Sequence, residues 1–465
     1  MMRPLPAAVR FLDAATIASL LCAETFATVM WDWMDYHWPI SPLYAVALLL
    51  LVVRHLRDPR PSLASRIASA TARAWNDLWT RRTASLALTT RVLVLAAGLL
   101  GAVLGGQARS PDNFRLSHNV LLNLPARYDA GWYLGIARNG YRWSPERAHR
   151  QQNVAFFPGF PVAMRIGGDL VTLPARLLQD PWLFGNGNTS VAWGGVLVAI
   201  VAFTLALARL RRLASAATAG ADVAFRAVLL LACAPFAYFF SAPYSEGLFL
   251  LAIVSTFAAW KDGRLPQAAG WGLVAGFTRS NGWTLTAALA VDVLGRWRDR
   301  PKRAARVAVA LMPAFAAVLF SVYIYTLTGH PLTWMTAQSA WGRRAAPLGF
   351  ITARYQRIGQ LGLGPYLAAD PGDAVTAVCV LLMLGLSLVM LRRRQWMEAT
   401  FTFAYLLPGT VIDIPSLGRM TSVLFPAYVT LATLLSRRQA WALAAAFGAL
   451  QLLFAFRFFG WLPPF

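Results

Sequence analysis

Two carboxylates and a handful of arginines, set in an otherwise apolar chain, are the residues with chemistry to offer. Asp129 and Glu146 are the only acids in RYDAGWYLGIARNGYRWSPERAHRQQNVAFFPGFP, residues 127–161. Arg127, Trp132, Tyr133 and Asn153 accompany them. Farther along stand Tyr244, Ser245 and Glu246 in SAPYSE (241–246), Arg279 and Asn281 in RSNG (279–282), Gln338 and Trp341 in GHPLTWMTAQSAWGR (329–343), and Arg419 in SLGRM (416–420). A carboxylate beside arginines suits transfer of a group from a phosphate ester. The carboxylate takes a proton from an acceptor hydroxyl, and guanidiniums stabilise charge growing on the departing phosphate. Nothing in the chain resembles a P-loop or a GxGxxG cradle after a strand.

Each candidate has a plainer alternative. Asp129 precedes AGWYLGIARNGY and suits a helix N-cap. In SPERAHR, Ser144 suits a cap, Pro145 the first helical position and Glu146 the first turn, so Glu146 reads as solvated surface. Trp132, Tyr133, Tyr141 and Trp143 form either a sugar platform or an interfacial anchor. Asn153 either bonds a sugar or caps the turn before FFPGFP (156–161), an apolar turn expected to dip into the interface. Glu246 opens an apolar run, where a charge needs a partner, and Arg279 is either that partner, a phosphate clamp or a snorkelling arginine. His330, Gln338, Trp341 and Arg419 read equally as ordinary loop residues. Glu24, alone in the first apolar run, suits a helix–helix polar contact.

These residues are held by an apolar frame. The chain has 465 residues, 57% hydrophobic and 14% charged, against about 25% charged in soluble proteins. Apolar runs of about 16–22 residues, long enough to cross a bilayer as helices, recur throughout. The fold class expected is an all-α polytopic membrane protein with about 13 transmembrane helices. The net charge of +23 does not point to nucleic acid. The arginines sit in short segments between apolar runs, as cytoplasmic loops do, where they also attract anionic membrane lipids. Cys22, Cys233 and Cys379 each lie in an apolar run without CxxC spacing, as small buried hydrophobes do. Asp13 and Glu24 interrupt the first run, which reads as a retained span rather than a leader.

The expected runs are 12–30, 40–54, 85–106, 189–210, 224–241, 244–260, 266–278, 282–295, 304–328, 374–392, 397–412, 420–435 and 440–456. With a cytoplasmic N-terminus, alternation puts every strongly basic segment inside: 54–82, 209–212, 261–264, 296–303, 392–395 and 436–439. Segment 54–82 has helical apolar spacing and suits either the membrane surface or an ordinary loop. The same alternation gathers 31–41, 107–188, 241–246, 279–282, 329–373 and 413–419 on the outer face. Chemistry outside a bacterial plasma membrane has no nucleotide sugars to draw on, so lipid-linked substrates or transport remain.

The motifs also carry a family resemblance. RYDAGWYLGIARNGY followed by NVAFFPGFP resembles the WDAGHY…GY…FFPLYP pattern of the second GPI mannosyltransferase family (PIG-V type) and its bacterial relatives. FFSAPYSEGLF (239–249), GFTRSNG (276–282), PLTWMTAQSAWGR and SLGRMTSVLFPAY resemble its later motifs in order. The resemblance covers roughly 85–435, leaving 1–84 as a two-span extension with the basic segment, and 436–465 as a last span and tail. It implies a GT-C-type, polyprenyl-phosphate-dependent glycosyltransferase, with outer loops 107–188 and 329–373 over the pocket. It also implies Asp129 as the catalytic base, Arg279 or Arg419 on the donor phosphate, and a glycan or glycolipid acceptor. Tyr128 stands where the family has Trp, and Trp132 where it has His, so any role of that His is missing or moved. A divalent metal is possible, since one Asp and a substrate phosphate can hold one, but no His or carboxylate cluster demands it. A different donor such as polyprenyl-phospho-arabinose stays open. So does a lipid-glycan flippase, although paired charges near mid-membrane and repeated halves are not evident.

Overall fold

The computed structural model describes residues 7–29, 41–57, 78–105, 115–177, 187–218, 220–297, 302–342, 349–412 and 416–462. Most of the aromatic segment 31–41 and most of the basic segment 54–82 lie outside the described residues. Those described form helices and turns without a strand. In chain order the helices are α1 (Ala7–Val29), α2 (Ser41–Arg57), α3 (Leu78–Gly105), α4 (Ala130–Asn139), α5 (Gly159–Leu177), α6 (Gly187–Thr218) and α7 (Ala221–Cys233). Then come α8 (Glu246–Lys261), α9 (Leu265–Thr278), α10 (Leu285–Gly295), α11 (Arg303–Thr328), α12 (Thr333–Thr336), α13 (Gly349–Leu361) and α14 (Leu363–Ala369). The last are α15 (Pro371–Arg392), α16 (Trp396–Ile412), α17 (Leu417–Thr421), α18 (Phe425–Leu434) and α19 (Arg437–Phe459).

Helices α3, α6, α11, α15 and α19 are each long and apolar enough to cross a membrane. Their outer faces are apolar as well: Val92 and Leu104 on α3, Val318 and Val322 on α11, and Val378 and Leu388 on α15 are all exposed. Water would penalise such a surface and hydrocarbon does not, so this is a membrane protein. Helices also lie within the other expected runs, although 420–435 is divided between α17 and α18. Of these, α8, α9 and α16 are 16, 14 and 17 residues long, shorter than a full crossing requires. Asp13, which interrupts the first run, is answered by Arg54 of α2 at 3.1 Å.

The structure departs from the sequence expectation in three further places. The run 224–241 is not one span: α7 stops at Cys233 and a 3-10 turn follows at Ala237–Ser241. Pro235 lacks an N–H and clashes with the preceding turn. The freed carbonyls find donors elsewhere. Arg91, buried in α3, donates to Ala232 O at 3.0 Å and to Ala237 O. Gln451 of α19 donates to Ala234 O at 2.7 Å and to Ala232 O at 3.1 Å. Second, segment 107–188 contains α4 and α5, and 329–373 contains α12 to α14. These helices escape an apolar-run reading because polar residues such as Arg165 and Asp169 interrupt them. Third, FFPGFP does not face the interface. Phe157 and Phe160 are buried in the protein, Phe157 against Phe320 and Trp334.

Helix α8 is the axis of the core. Phe249, Leu250, Ile253, Val254 and Phe257 bury its whole circumference, and it packs between α6 and α9, with α11 beyond α9. The tight turn through Asp262 and Gly263 makes α8 and α9 antiparallel neighbours. The start of α8 and the end of α9 therefore meet at one end of the bundle.

Candidate active site

That meeting point assembles the charges. Glu246 is the first residue of α8 and is only 1% exposed, its carboxylate in the favourable field of the helix N-terminus. Arg279 follows the last turn of α9. It donates to Glu246 Oε1, and its Nη1 lies 3.1 Å from Ser245 Oγ. RSNG ends in Gly282 for a steric reason: a Cβ there would lie 2.3 Å from Ala275 O. Only glycine lets this turn fold back onto α9 and aim Arg279 inward.

Helix α17 brings Arg419 across from the C-terminal part of the chain. Its Nη1 donates to Asp129 Oδ2 at 2.9 Å and its Nε stands 3.5 Å from Glu246 Oε1. Asp129, Arg419, Glu246 and Arg279 thus form one alternating chain of charge. Burial alone pushes the Arg279 and Arg419 guanidiniums down. Glu246 for the first, and Asp129 with Glu246 for the second, more than reverse this, so both stay firmly charged. The guanidinium of Arg419 also lies over the Phe239 and Tyr244 rings, at 5.8 and 5.6 Å.

Asp129 is held by its backbone. It stands at the N-cap of α4, yet its side chain makes no capping hydrogen bond. The carboxylate faces Arg419 instead, and Oδ1 has no partner among the described residues. Its N–H donates to Tyr244 Oη at 3.0 Å, and that hydroxyl donates to Arg127 O at 3.1 Å. The preceding Tyr128 has φ +46°, a left-handed conformation that costs a bulky residue on the order of 1–3 kcal/mol. The last span offsets this: Tyr128 packs on Phe458 and Trp461, and Arg127 donates to Phe459 O at 2.7 Å.

Above the charges lies a small cavity of about 50 Å³ lined by Asp129, Tyr133, Phe156, Ser245, Arg279, Arg419, Gln338 and Trp341, with Ala155, Phe157, Thr278 and Ser280 completing the wall. It has room for a water or two and none for a hexose. Tyr133 Oη shares a hydrogen with Ser245 Oγ at 3.1 Å, and burial pushes its phenol up to about 12, so Tyr133 is a neutral hydrogen-bonding group. Trp132 stacks on Phe156 and meets Trp341 edge-on. Gln338 Nε2 donates to Ala155 O at 3.0 Å.

A family model described as mannosyltransferase (PIG-V) matches residues 108–334. The match covers a little under half of the chain. The chain is 32% identical over 212 residues to the GPI alpha-1,6-mannosyltransferase 2 of Rattus norvegicus, covering 42% of this chain and 39% of that protein. It is 31% identical over 224 residues to the same-named protein of Mus musculus, covering 44% and 41%, and 33% over 162 residues to that of Homo sapiens, covering 35% and 30%. The chain thus spans about two fifths or less of the length of these relatives. The PIG-V match includes Asp129, Tyr244, Glu246 and Arg279, and stops before Gln338, Trp341 and Arg419. The fold nevertheless brings those three to the same cavity.

Other sequence-predicted residues lie elsewhere. Arg127 is buried among carbonyls of Asn123, Ala126 and Phe459 as scaffold. Asn153 bridges Gly140 O and the Arg142 N–H and so pins the loop after α4. Asn281 accepts from Thr284 in the RSNG turn, on the flank of the cavity. Glu146 is exposed with Ser144 Oγ on its carboxylate, and its own backbone N–H draws its pKa down. His330 is exposed. Sequence reasoning missed Phe156, Thr278 and Ser280 as wall residues. They stand inside the NVAFFPGFP and GFTRSNG motifs but were not singled out there. No three His, Cys, Asp or Glu side chains gather among the described residues. The two carboxylates of the site each face a guanidinium, which favours a bound anion over a bare cation.

Proposed function

We propose that this chain is an inverting glycosyltransferase that moves mannose, or a closely related sugar, from a polyprenyl-phosphate donor to a glycan or glycolipid acceptor. The observation that supports this most is the salt bridge of Asp129 to Arg419 at 2.9 Å, with Arg279 behind it, in a chain whose family description is mannosyltransferase. Two charged guanidiniums beside one accessible carboxylate match the needs of phosphate departure and hydroxyl activation.

In this reading the donor phosphate takes Arg419 as its counter-ion and draws it from Asp129. This frees the Asp129 carboxylate to act as the base. It accepts the proton of the acceptor hydroxyl as that oxygen bonds to the anomeric carbon, and the bond from that carbon to the phosphate oxygen breaks. The polyprenyl phosphate leaves with the electron pair, its charge met by Arg279 and Arg419. Attack opposite the leaving group inverts the anomeric centre. Tyr133 and Gln338 offer hydrogen bonds to sugar hydroxyls, and Trp132 and Trp341 offer apolar faces. The cavity opens outside a bacterial plasma membrane, with the N-terminus and the basic segments on the cytoplasmic side.

The test is transfer in vesicles of the full chain supplied with polyprenyl-phospho-mannose and a glycolipid acceptor. Arg419→Lys retains charge without the planar fork and is expected to lower kcat strongly. Product formed with retained anomeric configuration, or no dependence on the lipid phosphate, would overturn the proposal.

A further inference from the structure

The opposite end of the α8–α9 pair holds a second cluster of charge that the transfer chemistry does not use. From Glu246 to Lys261 the axis runs about 22 Å at 1.5 Å per residue. There, α6, α8 and α9 enclose a cavity of about 460 Å³, far larger than the one at Asp129. Arg209, Arg212 and Arg264 face into it with Ser255 and Trp271, and Leu213 and Ala216 provide apolar wall.

The arginines are unevenly matched. The Arg209 guanidinium lies over the Trp271 ring, 4.7 Å from its centroid, and its Nη1 is fixed on the buried hydroxyl of Ser255. No carboxylate pairs with it among the described residues. Arg212, three residues on and on the same helix face, has no partner among them. Asp262, the one acid in the wall, is taken by Arg264, and Lys261 is taken by Glu398. One fixed guanidinium, Arg209, and one without a partner, Arg212, therefore share a half-apolar cavity whose one acid is already paired. A hydrated surface would let such arginines diverge. Here Ser255 and Trp271 hold Arg209 in place.

We propose that this cavity is a binding site for a phosphate-bearing anion, which bridges Arg209 and Arg212. The apolar wall and the position at helix ends favour the head group of an anionic lipid, its chains running out along α6 and α9. A free phosphate carries the same recognition chemistry.

The test uses the purified full chain in neutral detergent with two probes, short-chain phosphatidylglycerol and inorganic phosphate, binding being read by calorimetry. Phosphatidylglycerol is expected to bind saturably. Arg209→Gln with Arg212→Gln is expected to weaken it about thirtyfold, on the order of fivefold per arginine. Arg303→Gln, which removes an equal charge outside the cavity, leaves it unchanged. Failure of inorganic phosphate to compete establishes a lipid source. Competition that disappears in the double variant establishes a soluble source at the same site. If the double variant does not fold, Arg212→Gln alone, at an exposed and unpartnered position, is expected to weaken binding about fivefold. Wild-type affinity in a folded arginine variant, or no saturable binding of either probe, would overturn the site.

Discussion

Glu246→Gln tests whether the four charges act as one unit. The wild-type cluster of Asp129, Glu246, Arg279 and Arg419 is neutral. The substitution keeps the shape and an acceptor toward Arg279, but leaves the cluster with one net positive charge in a site where Glu246 is 1% exposed. Removing one partner of a buried ion pair costs about 3–5 kcal/mol. Because glutamine preserves a hydrogen bond, the lower end, about 3 kcal/mol, is expected. Arg279→Gln alone leaves the opposite imbalance. The double variant restores neutrality, so the two changes are expected to be non-additive by about 2 kcal/mol, within the range for residues in one network. The assay is equilibrium unfolding in mixed micelles followed by tryptophan fluorescence, with all four corners of the cycle measured. A Glu246→Gln protein within about 0.5 kcal/mol of wild type, as for an ordinary surface change, would refute the buried network. Strict additivity of the two variants would refute the coupling.

Three further outcomes follow from the packing. Gly282→Ala must push the RSNG turn off Ala275 O, since its Cβ would lie 2.3 Å away. It should cost about 1–3 kcal/mol as overpacking does and lower transfer by displacing Arg279, both read on the same preparation. Arg91→Met takes a donor from the broken end of α7, leaving Ala237 O short of its partner. A loss of about 1–3 kcal/mol is expected for each orphaned group, and unchanged thermal unfolding would contradict the role given to Arg91. A cysteine at Ala148, exposed after the Pro145–Arg147 turn, should label with a membrane-impermeant reagent from outside intact cells when the native cysteines are replaced. Labelling only from the cytoplasmic side would reverse the proposed orientation.

Many of the apolar runs were readable because they are built from residues that hydrocarbon tolerates; helices lie within them, five of those described being long and apolar enough to cross a membrane. What composition does not encode is where a run breaks. Pro235 carried that signal, but its consequence depends on donors from Arg91 and Gln451, which are distant in sequence. Helix α5 was hidden by amphipathicity, because a helix that packs one face on α6 does not need a continuous apolar run. At the site, Asp129, Glu246 and Arg279 could be singled out by charge in apolar surroundings. The competing N-cap reading of Asp129 could be settled only by seeing its carboxylate turn to Arg419, 290 residues away in sequence. The same long-range packing separates Gln338 and Trp341, which line the cavity, from Asn153 and Arg127, which hold backbone. Residue type alone does not distinguish the two pairs. The last span lies beyond the family match, yet its Phe458, Phe459 and Trp461 hold the strained Tyr128 that positions Asp129.

The measurement closest to the central claim is mannose transfer by Asp129→Asn, in vesicles holding equal amounts of wild type and variant. Asparagine keeps the shape and a hydrogen-bond acceptor for Arg419 but cannot accept the acceptor's proton. General-base assistance contributes about 10²–10⁴-fold, so the initial rate with polyprenyl-phospho-mannose is expected to fall by at least about a hundredfold, with donor binding retained. A rate within a few-fold of wild type would contradict Asp129 as the catalytic base.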